Sequence, residues 1–489
     1  MALLLAVALV VRVFFWVALG RALDSADAVQ YVEMATQFAA GDFRSFDPRI
    51  PILYSALCAG ASLAFPDIET ACRMVSLLCS VLTLLPVYWL SRALHGVPAA
   101  RIAALVTATW PWLADYGSRV APESLALLLW FTTVYLLAEG LLRRAAYLPF
   151  AALTIFGLYL ARPEGVLTLL AAPLGGVLLV AGRPNKGAAF IRLGLFVAMA
   201  AALVVAAVLV MRSLTGHAAL SYRAASVAAS AHYLTSRAVE LGKTFSKVFT
   251  EVIPIMLGPL LLMFAGVGAF QKSERPRDFR LEIYVLFFAA VQFTAAVLST
   301  YPEPRYAMAV IVALMLWAAR GMALVSRQAR DNGYGGAVAS APVTTMLALM
   351  AFGAATVFVP EWMGRIPRDP IEYKLAGVWM KQHLEPGLIL TRKPQVGYYA
   401  GMKSFGPSAH ATVESVTTEA EAAGARYLVL DERYTASMAP GLKPLLDAKR
   451  PAPAGLKLVT DSVSPYPGAS VVIYEFTQAP RTPSVSGTQ

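Results

Sequence analysis

Apolar stretches recur through the first three quarters of the chain, most of them close to the roughly 20 residues that cross a bilayer as one helix and some of them shorter. Candidate spans are 1–20, 71–91, 100–115, 122–142, 147–161, 164–182, 190–211, 251–270, 281–300, 305–325 and 341–360. A segment inside lipid must satisfy its backbone internally, so these stretches predict a polytopic α-helical membrane protein with about 11 transmembrane helices. Composition agrees. Of the 489 residues, 58% are hydrophobic and 15% charged, against about 45–50% and about 25% in soluble domains. A soluble enzyme is excluded.

The formal charge of +11 does not point to nucleic acid, because the basic residues collect in alternate short loops. One set holds Arg92 and Arg101, Arg143-Arg144, then Arg183, Lys186 and Arg192, then Lys272, Arg275, Arg277 and Arg280, then Arg320, Arg327 and Arg330. The positive-inside rule assigns that set to the cytoplasm, with the N-terminus inside and the loop 21–70 outside. An odd number of spans places the tail outside as well. Met1–Gly20 lacks a basic start and reads as a spanning helix, not a cleaved signal. Arg12 in its middle either faces the bundle interior or shows that the true start lies upstream. The three cysteines, Cys58, Cys72 and Cys79, have neither disulfide nor metal-ligand spacing.

From about residue 361 the chain becomes polar and rich in Gly and Pro. Glu372–His383 and Glu414–Ala423 have helical patterning, while Leu388–Leu390, Tyr427–Leu430 and Val471–Tyr474 read as buried strands. The division is therefore a membrane domain at 1–360 and a small α/β domain at 361–489.

Charged residues at helix mouths are candidates for function. On the outer side fall Asp24, Asp27, Glu33, Asp42, Asp47 and Arg49, then Asp115, Arg119 and Glu123, then Arg162 and Glu164, and finally Arg305. Ser25–Ala40 patterns as a helix capped by Asp24 or Ser25, which puts Asp27 in its first turn. Glu123 likewise opens a helix after Pro122. Acids in such positions also complement the helix dipole. Arg49, Arg162 and Arg305 each stand beside or near proline at a boundary, where they serve an anion, snorkel, or pair with Glu164 and Glu303. The loop around 212–250 carries His217, Tyr222, Arg223, His232 and Tyr233, which read as ordinary polar loop residues.

Asp27-Ala28-Val29-Gln30-Tyr31-Val32-Glu33-Met34-Ala35, followed by Gly41-Asp42-Phe43 and Ile50-Pro51-Ile52-Leu53-Tyr54, resembles the first-loop signature of the GT-C glycosyltransferases. It is most similar to that of the protein O-mannosyltransferases and lipid A aminoarabinose transferases. Ala161-Arg162-Pro163-Glu164-Gly165 and Arg305-Tyr306 look like further landmarks. Ala28 stands where the family carries a second acid, and Arg49-Ile50 departs from the family's residues before its prolines. The resemblance implies a GT-C-like fold with juxtamembrane helices in the first outer loop. It also implies inverting transfer of one sugar from a polyprenyl-phosphate donor to an acceptor outside the cytoplasm. That acceptor would be a lipid, glycan or protein hydroxyl, reached from an inner membrane. Departing phosphate needs cations, a part for Arg305, Arg162 or Arg49. The acceptor hydroxyl needs a base, a part for Asp27 with Glu123 as second acid. Asp24, Tyr31, Glu33, Tyr54 and Tyr306 would support them, with no cofactor and no essential metal. The competing expectations are a transporter or flippase of a lipid-linked saccharide, and a glycan ligase or polymerase. A transporter would carry repeat symmetry and charges on both sides of the midplane, and neither is visible.

Overall fold

The computed structural model describes residues 1–19, 22–45, 50–184, 186–215, 238–271, 278–298, 303–362, 370–461, 463–464, 466 and 468–477. Arg49, most of the 212–250 loop and much of the basic 272–280 loop lie outside these. Two compact units result, one of residues 1–16 with 31–354, the other of residues 17–30 with 355–489.

In the first unit the helices are α1 (Ala2–Leu19), α2 (Ala26–Ala39, shared at its start with the second unit), α3 (Ile52–Ala61), α4 (Ile68–Leu82), α5 (Leu84–His95), α6 (Val97–Thr109), α7 (Pro111–Ser118) and α8 (Glu123–Leu142). They continue as α9 (Leu148–Ala161), α10 (Gly165–Val180), α11 (Lys186–Thr215), α12 (Ala238–Lys247), α13 (Ile253–Phe270), α14 (Phe279–Leu298), α15 (Pro304–Asp331) and α16 (Gly336–Trp362). Every expected span coincides with helix. Seven described helical stretches are long and apolar enough to cross a membrane unaided, and this is a multi-pass membrane protein. The juxtamembrane helices expected after the first span are α2 and α3.

Prolines break two expected spans. Pro86 has no N–H for the carbonyl of Leu82, and the helix parts at Thr83 into α4 and α5. Pro111 holds Trp110 extended (φ −66°, ψ 118°), which separates α6 from α7. The break orphans carbonyls at the end of α6, and Arg12 answers them. Its guanidinium donates to the carbonyls of Thr107 and Ala108, and to Ser80 Oγ at 3.0 Å. Arg12 is fully buried. Arg12 thus faces the interior. In α13, Gly258 takes a positive φ of 74° ahead of Pro259, and the Trp110 indole donates to the carbonyl of Met256 just before this kink (3.1 Å).

Where α13 crosses α15, backbone meets backbone. A Cβ on Gly321 would strike the carbonyl of Phe264, and one on Gly268 that of Trp317. Arg320 then donates to the carbonyl of Gly268 at 2.6 Å. Small residues allow such close packing in lipid. Gly321→Leu is therefore expected to cost about 3 kcal/mol, the upper end for overpacking. In detergent it should lower the midpoint of thermal unfolding by several degrees; an unchanged midpoint would show that the helices separate freely here.

The second unit carries a five-stranded sheet in the order β2-β1-β3-β5-β4. Its elements are α17 (Ile371–His383), β1 (Leu388–Leu390), α18 (Pro394–Ala400), β2 (Ser404–Phe405), α19 (Ser415–Ala423) and β3 (Ala425–Asp431). Then come α20 (Thr435–Met438), a 3₁₀ turn (Pro440–Leu446), β4 (Leu456–Thr460) and β5 (Val471–Phe476). β1 pairs in parallel with β2 and β3, and β5 runs antiparallel to β3 and β4. Alternation along the strands feeds two cores. Ile389, Tyr427, Val429 and Ile473 pack with α17 and α18 on one face. Leu390, Leu428, Leu430 and Val472 pack with α19 and the 3₁₀ turn on the other. Within the same unit, the Leu23 N–H donates to the Tyr399 hydroxyl of α18 at 2.8 Å, tying the approach to α2 to the α/β fold.

Candidate functional site

Local chemistry sets three charged residues at helix ends of the first unit. Glu123 starts α8 directly after Pro122. The turn leading to it is pinned by Tyr54, whose hydroxyl accepts from the Ala121 N–H at 3.1 Å and donates to the Cys72 carbonyl at 2.9 Å. Ser76 Oγ donates to the Ala121 carbonyl at 3.0 Å. Arg73 donates to the Ser118 carbonyl at 3.0 Å while paired with Glu69. Arg162 ends α9 in an extended conformation (φ −150°, ψ 142°), as a residue before proline should. Gly165 closes the turn so tightly that a Cβ would strike the backbone of Leu158. Arg305 occupies the second position of α15, after Pro304.

The fold gathers these three at one point. Arg162 Nη1 lies 2.7 Å from Glu123 Oε1, and Arg305 Nη1 lies 3.6 Å from the same oxygen. Arg162 Nε also meets Glu164 at 3.1 Å, and Arg305 Nε meets Glu303 at 2.7 Å. The Tyr306 ring lies 5.2 Å from the Arg162 guanidinium and 5.3 Å from that of Arg305. A cavity opens on this group, lined also by Trp130 and Gln292. Glu123 Oε2 and Trp130 Nε1 are both buried without a hydrogen-bond partner among the described residues. Buried polar groups are rarely left so, and here they offer an acceptor and a donor to a bound molecule.

Burial alone would lower the Arg162 pKa, but Glu164 and Glu123 outweigh it and raise it well above the ordinary value.

Of the residues singled out in the sequence, the structure brings together Glu123, Arg162, Arg305 and Tyr306. Asp27 is half-buried in the first turn of α2, capped by Ser25, whose Oγ accepts from the Ala28 N–H at 3.2 Å. Asp24 and Asp27 belong to the second unit. Tyr31 meets Tyr54 edge-on at 5.3 Å, and Glu33 is exposed on α2. Arg49 lies outside the described residues. Trp130 and Gln292 went unnoticed in the sequence. For Trp130 a signal existed: it stands seven residues after Glu123, on the same face of a helix. Among the described residues, no three His, Cys, Asp or Glu side chains converge as metal ligands would.

Residues 49–211, a third of the chain, match the model of a family described as dolichyl-phosphate-mannose-protein mannosyltransferase. The match spans Tyr54, Glu123 and Arg162 but neither Asp27 nor Arg305. No curated protein matches the sequence. Among solved structures, apo ArnT from Cupriavidus metallidurans aligns over 96% of this chain and 97% of its own, at 15% identity and a TM-score of 0.61. The same protein bound to undecaprenyl phosphate aligns over 100% and 99%, at 15% identity and 0.56. The archaeal oligosaccharyltransferase AglB from Archaeoglobus fulgidus, in complex with an inhibitory peptide and a dolichol-phosphate, aligns over 90% and 71%, at 13% identity and 0.59. The chain has the GT-C fold. Polytopic helices followed by a C-terminal α/β domain are thus the GT-C architecture expected from the first-loop motif. In this fold, Glu123, Arg162 and Arg305 share a cavity though they come from helices far apart in sequence.

Proposed function

We propose that the protein is a glycosyltransferase that moves a single sugar from a polyprenyl-phosphate donor to an acceptor hydroxyl on the extracytoplasmic face of the inner membrane. The observation that carries this reading is the pair of guanidiniums, Arg162 and Arg305, set against one buried carboxylate in a cavity. Structural neighbours with dolichol-phosphate and undecaprenyl phosphate bound support a lipid phosphate as the donor's carrier. In the step, the bond from the sugar's anomeric carbon to the phosphate oxygen breaks, and the phosphate keeps the electron pair. The acceptor oxygen attacks from the opposite side, which inverts the centre, and its proton passes to Asp27. The acceptor is a lipid, a glycan or a protein, and the α/β domain shares the outer face.

The two arginines divide the work. Arg162 is held between buried Glu123 and half-buried Glu164, with side-chain exposures of 2% and 19%. Arg305 leans on Glu303, whose side chain is 49% exposed, and such a partner contributes about 1 kcal/mol or less. Arg305 is therefore the cation that turns to the departing phosphate, while Arg162 keeps Glu123 in place to orient the acceptor. Arg49 is a third cation for the donor. No metal is needed where guanidiniums take up the developing charge, so transfer should persist in EDTA.

The experiment is binding of undecaprenyl phosphate to the protein in nanodiscs. Arg305→Ala should weaken binding by roughly tenfold to a hundredfold, the worth of a hydrogen bond to a charged group, and leave the unfolding midpoint within a degree or two. Equal affinity in the variant would remove Arg305 from the donor site.

A further inference from the structure

The α/β domain holds a concentration of charge of its own. Its sheet order places β1 between β2 and β3. The chain leaves β1 toward β2 and leaves β3 toward the opposite edge, so the carboxyl ends of β1 and β3 flank a topological switch point. Open α/β sheets bind ligands in the crevice at such a point. The side chains there fit that use. Thr391, Arg392, Lys393 and Gln395 follow β1, and Asp431, Arg433 and Tyr434 end or follow β3. The start of α17 adds Glu372 and Tyr373.

Most of these groups are committed to each other. Arg433 grips Glu372 at 2.7 Å and 3.1 Å. Asp431 accepts from the Tyr373 hydroxyl at 3.2 Å and the Tyr434 N–H at 2.7 Å. Arg392 donates to the Pro407 carbonyl at 3.1 Å. Arg392 Nε is nonetheless buried without a partner among the described residues, and two further groups are uncommitted. The Lys393 ammonium rests 3.6 Å from the centre of the Tyr434 ring, and no ion pair to it is found among the described residues. Gln395, only 3% exposed, has its Oε1 buried with no partner among the described residues. Three cations face two carboxylates here, so one positive charge is uncompensated. Gln395 Oε1 calls for a hydroxyl or amide donor. The Tyr434 ring, 41% exposed, adds apolar surface beside that ammonium.

We propose that the crevice between the carboxyl ends of β1 and β3 binds an acidic saccharide, a sugar bearing a phosphate or carboxylate group. The anion sits on Lys393, a ring hydroxyl donates to Gln395, and the ring lies beside Tyr434. This assignment stands independently of the transfer reaction proposed above.

The test titrates the full-length protein in nanodiscs with glucuronate, glucose 6-phosphate, glucose and inorganic phosphate, read by saturation-transfer NMR and calorimetry. At least one acidic sugar should bind at least tenfold more tightly than glucose and than inorganic phosphate. Lys393→Gln should reduce that affinity tenfold or more, and Gln395→Leu severalfold, with undecaprenyl phosphate binding and the unfolding midpoint unchanged. Acidic sugars binding no better than glucose would overturn the site, as would undiminished affinity in a folded Lys393→Gln protein. Phosphate binding as tightly as glucose 6-phosphate would overturn the saccharide assignment. A Lys393→Gln protein that fails to fold leaves Gln395→Leu and Tyr434→Ala to decide, and full affinity in both would overturn the proposal.

Discussion

Arg162→Ala should unfold the membrane unit at a clearly lower temperature than the parent protein. Glu123 is buried, and its Oε1 lies 2.7 Å from Arg162. Removing the arginine strands that carboxylate in a low-dielectric site, and breaking one side of such a pair costs about 3–5 kcal/mol. Arg305, at 3.6 Å, does not replace the lost hydrogen bond without leaving Glu303. The double variant Glu123→Gln/Arg162→Ala removes the stranded charge and should recover most of the loss. Transfer should stay absent in both, because the acceptor loses its orienting carboxylate either way. The check is a double-mutant cycle on unfolding in detergent. Additive effects of the two substitutions would mean that the pair is not coupled, and that Arg162 meets Glu123 without depending on it.

Asp27→Asn should abolish transfer while leaving the protein folded and able to bind lipid phosphate. A positioned base contributes about 10²- to 10⁴-fold to rate, and asparagine cannot take the proton. The alternative role of a first-turn acid, complementing the helix dipole, is worth only about 0.3–1 kcal/mol. The Ser25 cap of α2 survives the change. The measurement is turnover beside undecaprenyl phosphate affinity and unfolding midpoint on one preparation. Unchanged turnover with a small loss of stability would reduce Asp27 to its dipole role.

The membrane architecture was legible because hydropathy reports on lipid residue by residue. What the pattern hid were interruptions. Pro86 and Pro111 announce breaks, but not that the helix resumes within a residue or two. That Arg12 faces the interior was not legible, since the acceptors it meets lie 68, 95 and 96 residues away. Glu123, Arg162 and Arg305 were legible singly, as charges beside prolines at span ends. Their convergence was not, because a separation of 39 residues between Glu123 and Arg162 carries no local signal. Asp27 was readable from its motif, and its first-turn position is where the helical pattern placed it. In the α/β domain the apolar runs marked β1, β3 and β5. The two-residue β2, the short α18 and the amphipathic β4 were too brief or too polar to stand out.

Central to the account is that the sugar changes carrier. Purified protein in liposomes, given a polyprenyl-phosphate sugar with a ¹³C-labelled sugar and an extract of envelope lipids, glycans and proteins, can be followed by mass spectrometry. The account predicts that labelled sugar appears on an acceptor in one-to-one proportion with free polyprenyl monophosphate, in EDTA as in its absence. Intact lipid-linked sugar delivered to the opposite leaflet, with no labelled acceptor and no free polyprenyl phosphate, would contradict it.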